Sequence, residues 1–269
     1  MKKALYHIIL CLLIAFGSVS NSSVFAADNL AGTYGTEFWL AFLSNKNAAP
    51  EDLTITFYAV AEEPMTISAY SAGKKISDFT LDEKSPNYFY KLEKVSANGL
   101  CPVDNESEQI KNRGIRIASN GINKKFSCYA LIETGGKGDK SQRDATLILP
   151  KEVLGKEYFV QTNYDDGMST EFAVVATEAE TQVTIVPSCK TYNNVEGGTP
   201  ISIKLNAGDV YMVKSQTKKQ STDNINLSGS SVCADKPVAV FNGNEMVTIT
   251  TQPLFSASHT FEQDRKSVV

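Results

Sequence analysis

Leu53-Thr-Ile-Thr-Phe-Tyr-Ala-Val60 is the stretch that decides the fold, because apolar and polar side chains alternate along it. Alternation with a period of two is typical of a β-strand that buries one face and exposes the other. A related stretch, Thr170-Glu-Phe-Ala-Val-Val-Ala-Thr177, follows roughly 110–120 residues later. The repetition predicts that the chain contains two copies of one strand-based unit.

The segments around both stretches also correspond, and they keep the same order along the chain. The matching pairs are Glu37–Phe42 with Glu157–Thr162, Met65–Ser68 with Thr181–Val186, and Gly114–Leu131 with Leu227–Phe241. A period this long indicates two domain-sized units rather than a solenoid. The sequence therefore predicts an all-β fold of two duplicated antiparallel β-sandwich-like units packed in tandem, the first at residues 33–150 and the second at 151–263.

Strands separated by short turns account for most of the remaining chain. Segments rich in β-branched and aromatic residues predict further strands at Phe126–Ile132, Ala145–Leu149, Ile201–Leu205, Val210–Lys214 and Val238–Phe241. Asn206–Asp209 predicts a hairpin, and Pro150–Gly155 predicts a single turn of helix closed by Gly155. The polar loops at residues 97–112, 135–143 and 216–224 are predicted to be the mobile or ligand-facing segments.

The N-terminus has the features of a secretory signal peptide. Lys2 and Lys3 precede an apolar run, Ile8–Phe16, that is too short to span a bilayer. The residues at Val24–Ala26 suit a signal peptidase, so cleavage is predicted after Ala26. Residues 1–26 are therefore a predicted signal peptide, and the mature chain is expected to be secreted or displayed on the outer cell surface.

The last six residues, Asp264-Arg-Lys-Ser-Val-Val269, are identical to the translation of a common sequencing adapter in one reading frame. We therefore predict that residues 264–269 are a non-native tail, that native sequence ends near Gln263, and that the protein continues beyond it. A genuine basic tail is the alternative, since a match of six residues also arises by chance.

The charge balance of the mature chain bears on the class of partner. Removing Lys2 and Lys3 from the 26 basic residues leaves 24 against 30 acidic residues, a net charge of −6. A mildly acidic chain without a basic cluster argues against nucleic acid as a partner. No second apolar run is long enough to cross a membrane, so no transmembrane segment is expected after signal cleavage.

Four cysteines remain after signal cleavage: Cys101, Cys128, Cys189 and Cys233. Export makes disulfides possible, and four cysteines allow three pairings between which sequence does not choose. Pairing within each unit, Cys101–Cys128 and Cys189–Cys233, is the simplest hypothesis. The alternative is that some are buried free thiols, which behave as small apolar residues.

Few residues of the mature chain have the pattern of a catalytic site. His259 is its single histidine, so a Ser-His-Asp or Cys-His arrangement would have to use it. A lone histidine in a Ser/Thr-rich segment is more often solvated or packed. Glu178 and Glu180 lie on a predicted turn, where a solvated tip is a better interpretation than a glycosidase carboxylate pair. We therefore predict no catalytic residues, no cofactor and no enzyme activity.

Asn163, Asp165 and Asp166 are the best candidates for a metal site, because amide and carboxylate oxygens are ligands that calcium prefers. Their spacing does not match an EF-hand, and Asn and Asp beside Gly167 are also ordinary turn residues. The turn is the favoured interpretation, and no metal site is predicted. Trp39 could stack on a sugar, but its apolar neighbours favour a position in the core.

Gly35–Phe42, Ala176–Ile185 and Leu227–Gly243 resemble the N-terminal domain family of IgGFc-binding protein. The last of these stretches has a Gly-Ser step, a Lys-Pro pair and an apolar strand that ends in glycine. His259–Gln263 is similar to the family's segment before a Glu-Gln-Leu-Pro-Pro stretch, and it breaks off where the adapter-like residues begin. The resemblance covers nearly all of the mature chain, and it implies a bacterial secreted member that is truncated at its C-terminus.

Two functional hypotheses follow. The first is a secreted or cell-surface adhesion module, part of a longer protein, that binds an extracellular glycoprotein such as a mucin or an immunoglobulin; extracellular binding is what the family resemblance implies. The second is a carbohydrate-binding β-sandwich that is attached to, or itself acts as, a polysaccharide-active enzyme. A structural spacer between other domains is a third and simpler interpretation. In the first two cases the expected partner is an extracellular protein or glycan.

Overall fold

The computed structural model describes residues 32–46, 48–82, 89–91, 95–97, 99–103, 106–134, 143–162, 168–217, 224–247 and 258–265. The predicted signal peptide at residues 1–26 lies outside these ranges, as do the candidate metal ligands Asn163, Asp165 and Asp166. The regular secondary structure of the described chain is almost all β-strand, with short 3₁₀ turns at Pro50–Asp52 and Lys151–Val153. The prediction of an all-β, sandwich-like fold is therefore confirmed.

The strands are numbered in chain order, and the first ten precede residue 151. They are β1 (Glu37–Leu40), β2 (Leu53–Val60), β3 (Met65–Ser71), β4 (Lys74–Leu81), β5 (Phe89–Lys91), β6 (Val95–Ser96), β7 (Ile110–Asn112), β8 (Ile115–Ser119), β9 (Ser127–Thr134) and β10 (Arg143–Ile148). The strands after residue 151 are β11 (Gly155–Phe159), β12 (Thr170–Ala176), β13 (Thr181–Val186), β14 (Ile201–Leu205), β15 (Asp209–Lys214), β16 (Ser231–Val247) and β17 (Ser258–Gln263).

The first unit is built from two antiparallel sheets. One has the order β1-β8-β3-β4, and the other has the order β10-β9-β2-β5 with β6 also paired to β2. The turn that contains Pro64 carries the chain from β2 in one sheet to β3 in the other. Ile55 and Phe57 from β2 and Ile67 from β3 are fully buried in the same core. The alternation along β2 thus directs its apolar side chains between the two sheets.

The second unit is organised by one long strand, β16, which spans 17 residues. Its N-terminal half pairs with β13 and β11, and its C-terminal half pairs with β12 and β17. β14 extends the first half, while β15 and then β7 extend the second. One eight-stranded sheet therefore folds over into two layers. The core between the layers includes Phe172, Val183, Val213 and Val232.

Both units use the same strand pairings when β8 and β9 are compared with the two halves of β16. β1 and β3 pair with β8 as β11 and β13 pair with the first half of β16. β2 and β10 pair with β9 as β12 and β17 pair with the second half. The outer pairs β3–β4 and β2–β5 correspond to β13–β14 and β12–β15. The unit boundaries at 33–150 and 151–263 stay a prediction.

Strand β12 connects the core of the second unit to that of the first. Phe172 and Val174 belong to the core inside the second unit, whereas Ala173 and Val175 belong to a core that also contains first-unit residues. All seven residues of β12 are buried. A continuous apolar run of this kind is typical of a strand that is covered on both faces. The two units are therefore packed against each other through a shared core.

Three phenylalanines occupy the centre of this shared core. The ring of Phe261 in β17 stacks on that of Phe241 in β16, with centroids 5.3 Å apart, and on that of Phe42 after β1, at 5.2 Å. All three side chains are buried. Phe42 comes from the first unit and the other two come from the second, so this stack joins the units.

Side-chain hydrogen bonds attach β17 to β10 of the first unit. The hydroxyl of Thr146 donates to Oε2 of Glu262 at 2.9 Å and accepts from the backbone N–H of Gln263 at 3.2 Å. The backbone N–H of Leu149 donates to Oε1 of Gln263 at 2.6 Å. These hydrogen bonds form a polar edge to the interface between the units. They fix the position of β17 beside the stack of three phenylalanines.

Two local predictions need correction, the first in its strand pairing and the second in the role of one glycine. Asn206–Asp209 is a tight turn, but β14 pairs with β13 while β15 pairs with β12, so it connects two layers instead of forming a hairpin. Pro150–Gly155 contains a 3₁₀ turn at Lys151–Val153, flanked by extended backbone at Pro150 and Leu154. Gly155 begins β11 rather than closing a helix. The turn at Asn206–Asp209 and the helical turn after Pro150 were predicted correctly, but the pairing of β15 and the role of Gly155 were not.

The four cysteines after residue 26 carry free thiols in the structure. Cys101, Cys128 and Cys189 are buried, and Cys233 is exposed. Burial raises the pKa of the Cys101 and Cys128 thiols above their usual range and raises the pKa of Cys189 to about 11. The three buried thiols match the alternative of small apolar core residues, and the structure contains no disulfide among the described cysteines.

Candidate functional site

A groove of about 290 Å³ lies where the two units meet. The β3–β4 hairpin and the start of β8 form its first-unit side, and the turn between β14 and β15 forms its second-unit side. The side chains that decide its chemistry are those of Trp39, Tyr70, Ser71, Asn112 and Arg116. Concave sites between domains are preferred positions for ligands, so this groove is the candidate functional site.

Trp39 forms the floor of the groove and is held there by its neighbours. Its indole N–H donates to Oε1 of Glu37 at 2.7 Å, and its side chain is only 7% exposed. A Cβ placed on Gly208 would lie 3.6 Å from the indole ring, so the bare glycine leaves the ring edge uncovered. Gly208 also has φ +83°, a conformation that favours glycine. Trp39 is thus a core residue whose edge borders the groove.

Arg116 is fixed in place by a carboxylate and by an aromatic ring. Its Nε and Nη2 donate to Oε2 of Glu37 at 2.9 and 2.7 Å. Its guanidinium carbon lies 5.6 Å from the centroid of Tyr70, the residue opposite it on β3. Burial alone would raise the pKa of Glu37, but hydrogen bonds from Arg116 and Trp39 outweigh this effect and hold that pKa below its usual range. Glu37 therefore stays ionised and orients both residues.

The rim of the groove joins the two units through β7. Asn112 at the end of β7 is opposite Asp209 at the start of β15, and its Nδ2 donates to Oδ1 of Asp209 at 2.8 Å. Gly114 then approaches the turn so closely that its N–H donates to the carbonyl of Gly208 at 2.9 Å. The predicted polar loop at residues 97–112 thus ends in a strand that belongs to the sheet of the second unit.

The β3–β4 hairpin supplies the opposite rim. Ala72 and Gly73 form its two-residue turn, and both have positive φ, 48° and 73°. Such a turn is typical of a tight hairpin, because it follows the right-handed twist of the strands. Ser71 just before the turn and Tyr70 beside it are thereby placed at the groove. Among the described residues that line the groove, Arg116 is the one charged side chain.

A second group of polar residues lies buried in the interface between the units. Lys214 on β15 forms an ion pair with Glu245 on β16, and Glu171 on β12 is directly opposite Lys214 in register. The hydroxyl of Ser44, from the first unit, donates to Oε2 of Glu171 at 2.6 Å. Each of these four side chains is at most 2% exposed. We refer to Ser44, Glu171, Lys214 and Glu245 as the interface charge cluster.

His259 lies beside this cluster and is packed, not solvated. Its side chain is 1% exposed, and its Nδ1 lies 2.8 Å from Oδ2 of Asp144 on β10. Its Nε2 is buried and has no hydrogen-bond partner among the described residues. The contact between His259 on β17 and Asp144 on β10 therefore joins the two units beside the interface charge cluster.

Two carboxyl groups are expected to make stability fall between about pH 4.5 and 7. Burial raises the pKa of Glu171 to about 7, although Lys214 and Ser44 oppose it, and burial raises the pKa of Asp264 to about 7. The folded chain therefore keeps protons that the unfolded chain releases near pH 4, so ionisation costs folding free energy as the pH rises. Urea unfolding at pH 4.5, 6 and 8 measures the slope.

The variant Asp264→Asn tests the contribution of one of these groups. Asp264 accepts a hydrogen bond from Asn242, but its Oδ2 is buried without a partner among the described residues. The amide cannot ionise, so the variant is expected to be more stable than the parent at pH 8 and similar at pH 4.5. Arg265→Gln, at an exposed neighbouring position, serves as the control. An unchanged slope in Asp264→Asn would contradict the assignment.

The remaining residues that the sequence singled out lie apart from the groove and the cluster. Glu178 is 3.5 Å from Nζ of Lys151, and Glu180 forms an ion pair with Lys204. The two carboxylates therefore have separate partners on the surface. No group of three or more His, Cys, Asp or Glu residues within the described ranges is arranged to hold a metal ion. Nor does any helix in the described part of the chain have the length and apolar character to span a membrane.

Comparison with known proteins gives two matches. Residues 144–263 match the family model of IgGFc binding protein, and this range covers the second unit together with β10. The chain is also 28% identical over 248 residues to IgGFc-binding protein of Homo sapiens, which covers 88% of this chain. The chain spans about 4% of the length of that protein. The chain is thus similar in sequence to IgGFc-binding proteins, in agreement with the resemblance seen in its motifs.

Proposed function

We propose that this chain is a secreted or cell-surface binding module that recognises an extracellular glycoprotein of the mucin or immunoglobulin type. The support from comparison is the match of residues 144–263 to the IgGFc binding protein family and the similarity to a relative that is named for binding. The module is part of a longer protein and is not an enzyme. Its proposed location outside the cell follows from the signal peptide expected at residues 1–26.

The observation that carries this proposal is the groove between the two units. Both units contribute to it, and Arg116 and Trp39 are held in fixed positions by Glu37. Tryptophan, tyrosine and arginine are the residues that most often dominate binding energy at interfaces. A preformed site of these residues suits recognition, because little ordering free energy is lost when a partner binds.

Two further proposals concern the origin and extent of the chain. We propose that it is a bacterial member of the family and that native sequence continues past Gln263. Amplifying and sequencing genomic DNA across the codon for Gln263 tests the second point. A reading frame that continues into further domains supports it, whereas a stop codon directly after Val269 in clean genomic DNA refutes it.

The binding proposal is tested with the purified chain at physiological salt. Mucin, immunoglobulin G and its Fc fragment are immobilised, and binding is measured by interferometry. We expect saturable binding to at least one of them, and we expect Tyr70→Ala to weaken that binding at least tenfold, about 1.4 kcal/mol. Tyr129→Ala removes an exposed tyrosine from a strand that does not line the groove, and it should bind as the parent does.

The results separate the proposals. Absence of binding to all three glycoproteins by the folded parent chain would refute the proposed function. Equal binding by Tyr70→Ala and the parent would refute the groove as the site. The alternative function, a carbohydrate-binding sandwich attached to an enzyme, is favoured by the aromatic residues in the groove. Binding to purified polysaccharide but to none of the glycoproteins would support that alternative.

A further inference from the structure

We propose that the groove binds an uncharged sugar ring, so that the module recognises the glycan of its partner and not the polypeptide. The inference rests on the proposed function and specifies the ligand class of the same site. Three properties of the groove support it: its charge balance, the arrangement of its apolar and polar groups, and its size.

The charge balance favours a neutral ligand. Arg116 is the one cation among the described lining residues, and two of its donors, Nε and Nη2, already bind one carboxylate oxygen of Glu37. Glu37 also lies 3.8 Å from Nζ of Lys151, which pairs in turn with Glu178, so two cations and two carboxylates leave this side of the groove without the net positive charge that an anionic ligand would need. The guanidinium still has N–H groups outside this pair, because it carries five donors in all. They can donate to hydroxyl oxygens without a net charge on the ligand.

The arrangement of groups matches the two-sided character of a pyranose ring. Such a ring has a face of C–H groups and a rim of hydroxyls. The edge of Trp39 and the ring of Tyr70 offer apolar surface, while Ser71, Asn112 and Arg116 offer hydrogen-bonding groups around it. Small sites of this kind combine an apolar lining with a few placed polar groups that set orientation.

The size of the groove argues against a long peptide. Its volume of about 290 Å³ is at the lower end of the range for small-molecule sites, about 300–1,000 Å³. It is closed on one side by the β3–β4 hairpin and on the other by the turn at Ala207 and Gly208. A terminal sugar or a short oligosaccharide fits these limits better than an extended chain.

Trp39 provides a direct readout, because it is the single tryptophan of the chain and lies at the floor of the groove. The purified chain is titrated with N-acetyllactosamine, with the pool of neutral oligosaccharides released from mucin, and with 3′-sialyllactose. We expect a saturable change in tryptophan emission, and protection from acrylamide quenching, with the neutral sugars. No saturable change with N-acetyllactosamine or the neutral pool, or a response to 3′-sialyllactose alone, would overturn the inference.

Variants show whether the signal comes from the groove. Tyr70→Ala and Arg116→Lys are each expected to weaken binding of the neutral sugar at least tenfold, since the first removes the ring and the second removes the planar donors. Tyr129→Ala should bind as the parent does. Because Arg116 also pairs with Glu37, far-UV circular dichroism of each variant must match the parent. Unchanged affinity in both folded groove variants would overturn the inference.

A final comparison separates this inference from the proposed function. Mucin is immobilised before and after enzymatic removal of its glycans. Loss of binding after deglycosylation, with competition by the neutral oligosaccharides, supports the inference. Retained binding to the deglycosylated polypeptide overturns it while leaving the proposed function intact. Absence of binding to either form and to immunoglobulin overturns both.

Discussion

Replacing Lys214 with methionine is expected to lower the free energy of unfolding by about 3–5 kcal/mol at pH 7.5. Lys214 is 2% exposed and forms an ion pair with Glu245, while Glu171 lies directly opposite it in register. Without the ammonium group, the two buried carboxyl groups have no cation beside them, and each pays its desolvation cost alone. Urea unfolding of parent and variant, followed by circular dichroism, measures the difference.

A double variant distinguishes lost pairing from lost packing. Lys214→Met combined with Glu245→Gln removes both charges of the ion pair, and replacing both partners costs less than removing one. We therefore expect the double variant to be more stable than Lys214→Met alone. Lys204→Met, at an exposed ion pair on the surface, is the control and should change stability by less than about 1 kcal/mol. A loss below 1 kcal/mol in Lys214→Met would contradict the importance of the interface charge cluster.

Replacing Phe241 with alanine is expected to destabilise the chain by about 3–5 kcal/mol. The residue is fully buried, stacks on Phe261 and belongs to the core that both units share. Truncation removes apolar contact area and leaves a cavity at the junction, which the surrounding strands can only partly fill. Denaturant unfolding followed by both tryptophan fluorescence, which reports the first unit, and circular dichroism measures the effect.

The comparison variant for this prediction is Phe159→Ala. Phe159 is 65% exposed at the end of β11, so its truncation should change the free energy of unfolding by no more than about 0.5 kcal/mol. The two probes should report one shared transition in both variants if the units unfold together. A loss below about 1 kcal/mol in Phe241→Ala would show that the units do not depend on this contact.

The strands with clear periodicity or β-branched, apolar composition could be predicted from sequence, including the edge strands β10 and β14, whereas the edge strands β4 and β7 could not. β2 and β12 are central strands with buried partners, so burial selects their apolar residues and leaves a pattern. β4 begins with Lys74 and Lys75 and is exposed over much of its length, and β7 is only three residues long. Edge strands need little apolar surface and often carry charges. The sequences of β4 and β7 therefore contain no signal that separates these two strands from loops.

The candidate site depends on register, which the sequence does not encode locally. Trp39, Tyr70 and Arg116 lie on three different strands and meet because β8 pairs with both β1 and β3 at the position of Arg116. Trp39 was correctly expected in the core, but its position at the edge of a groove follows only from the packing of the two units. The pairing of β7 with β15, which brings Asn112 to the rim, left no sequence signal either.

The sequence contains one weak indication of the interface charge cluster, which is the position of two of its charged residues. Glu171 and Lys214 each stand at the end of a strand that is otherwise almost wholly apolar. A charged residue at such a position usually indicates that this end of the strand is exposed to solvent. Here both strand ends are covered by the first unit, so both charged side chains are buried and need polar partners. Lys214 pairs with Glu245, and Glu171 accepts a hydrogen bond from Ser44. The burial could be known only from the arrangement of the units.

The second unit has one continuous strand, β16, where the first unit has two strands, β8 and β9, joined by a turn. This difference determines where the chain can accept inserted residues. In the second unit the strand runs without a break through both layers, so any added residue would shift the register of four partner strands at once. In the first unit the equivalent point is an open turn whose tip, Ile122, is 94% exposed. Exposed turns of this kind accept added sequence most readily. The chain therefore offers one place, at residues 121–123, to attach an epitope tag or a fluorophore without disturbing either sandwich.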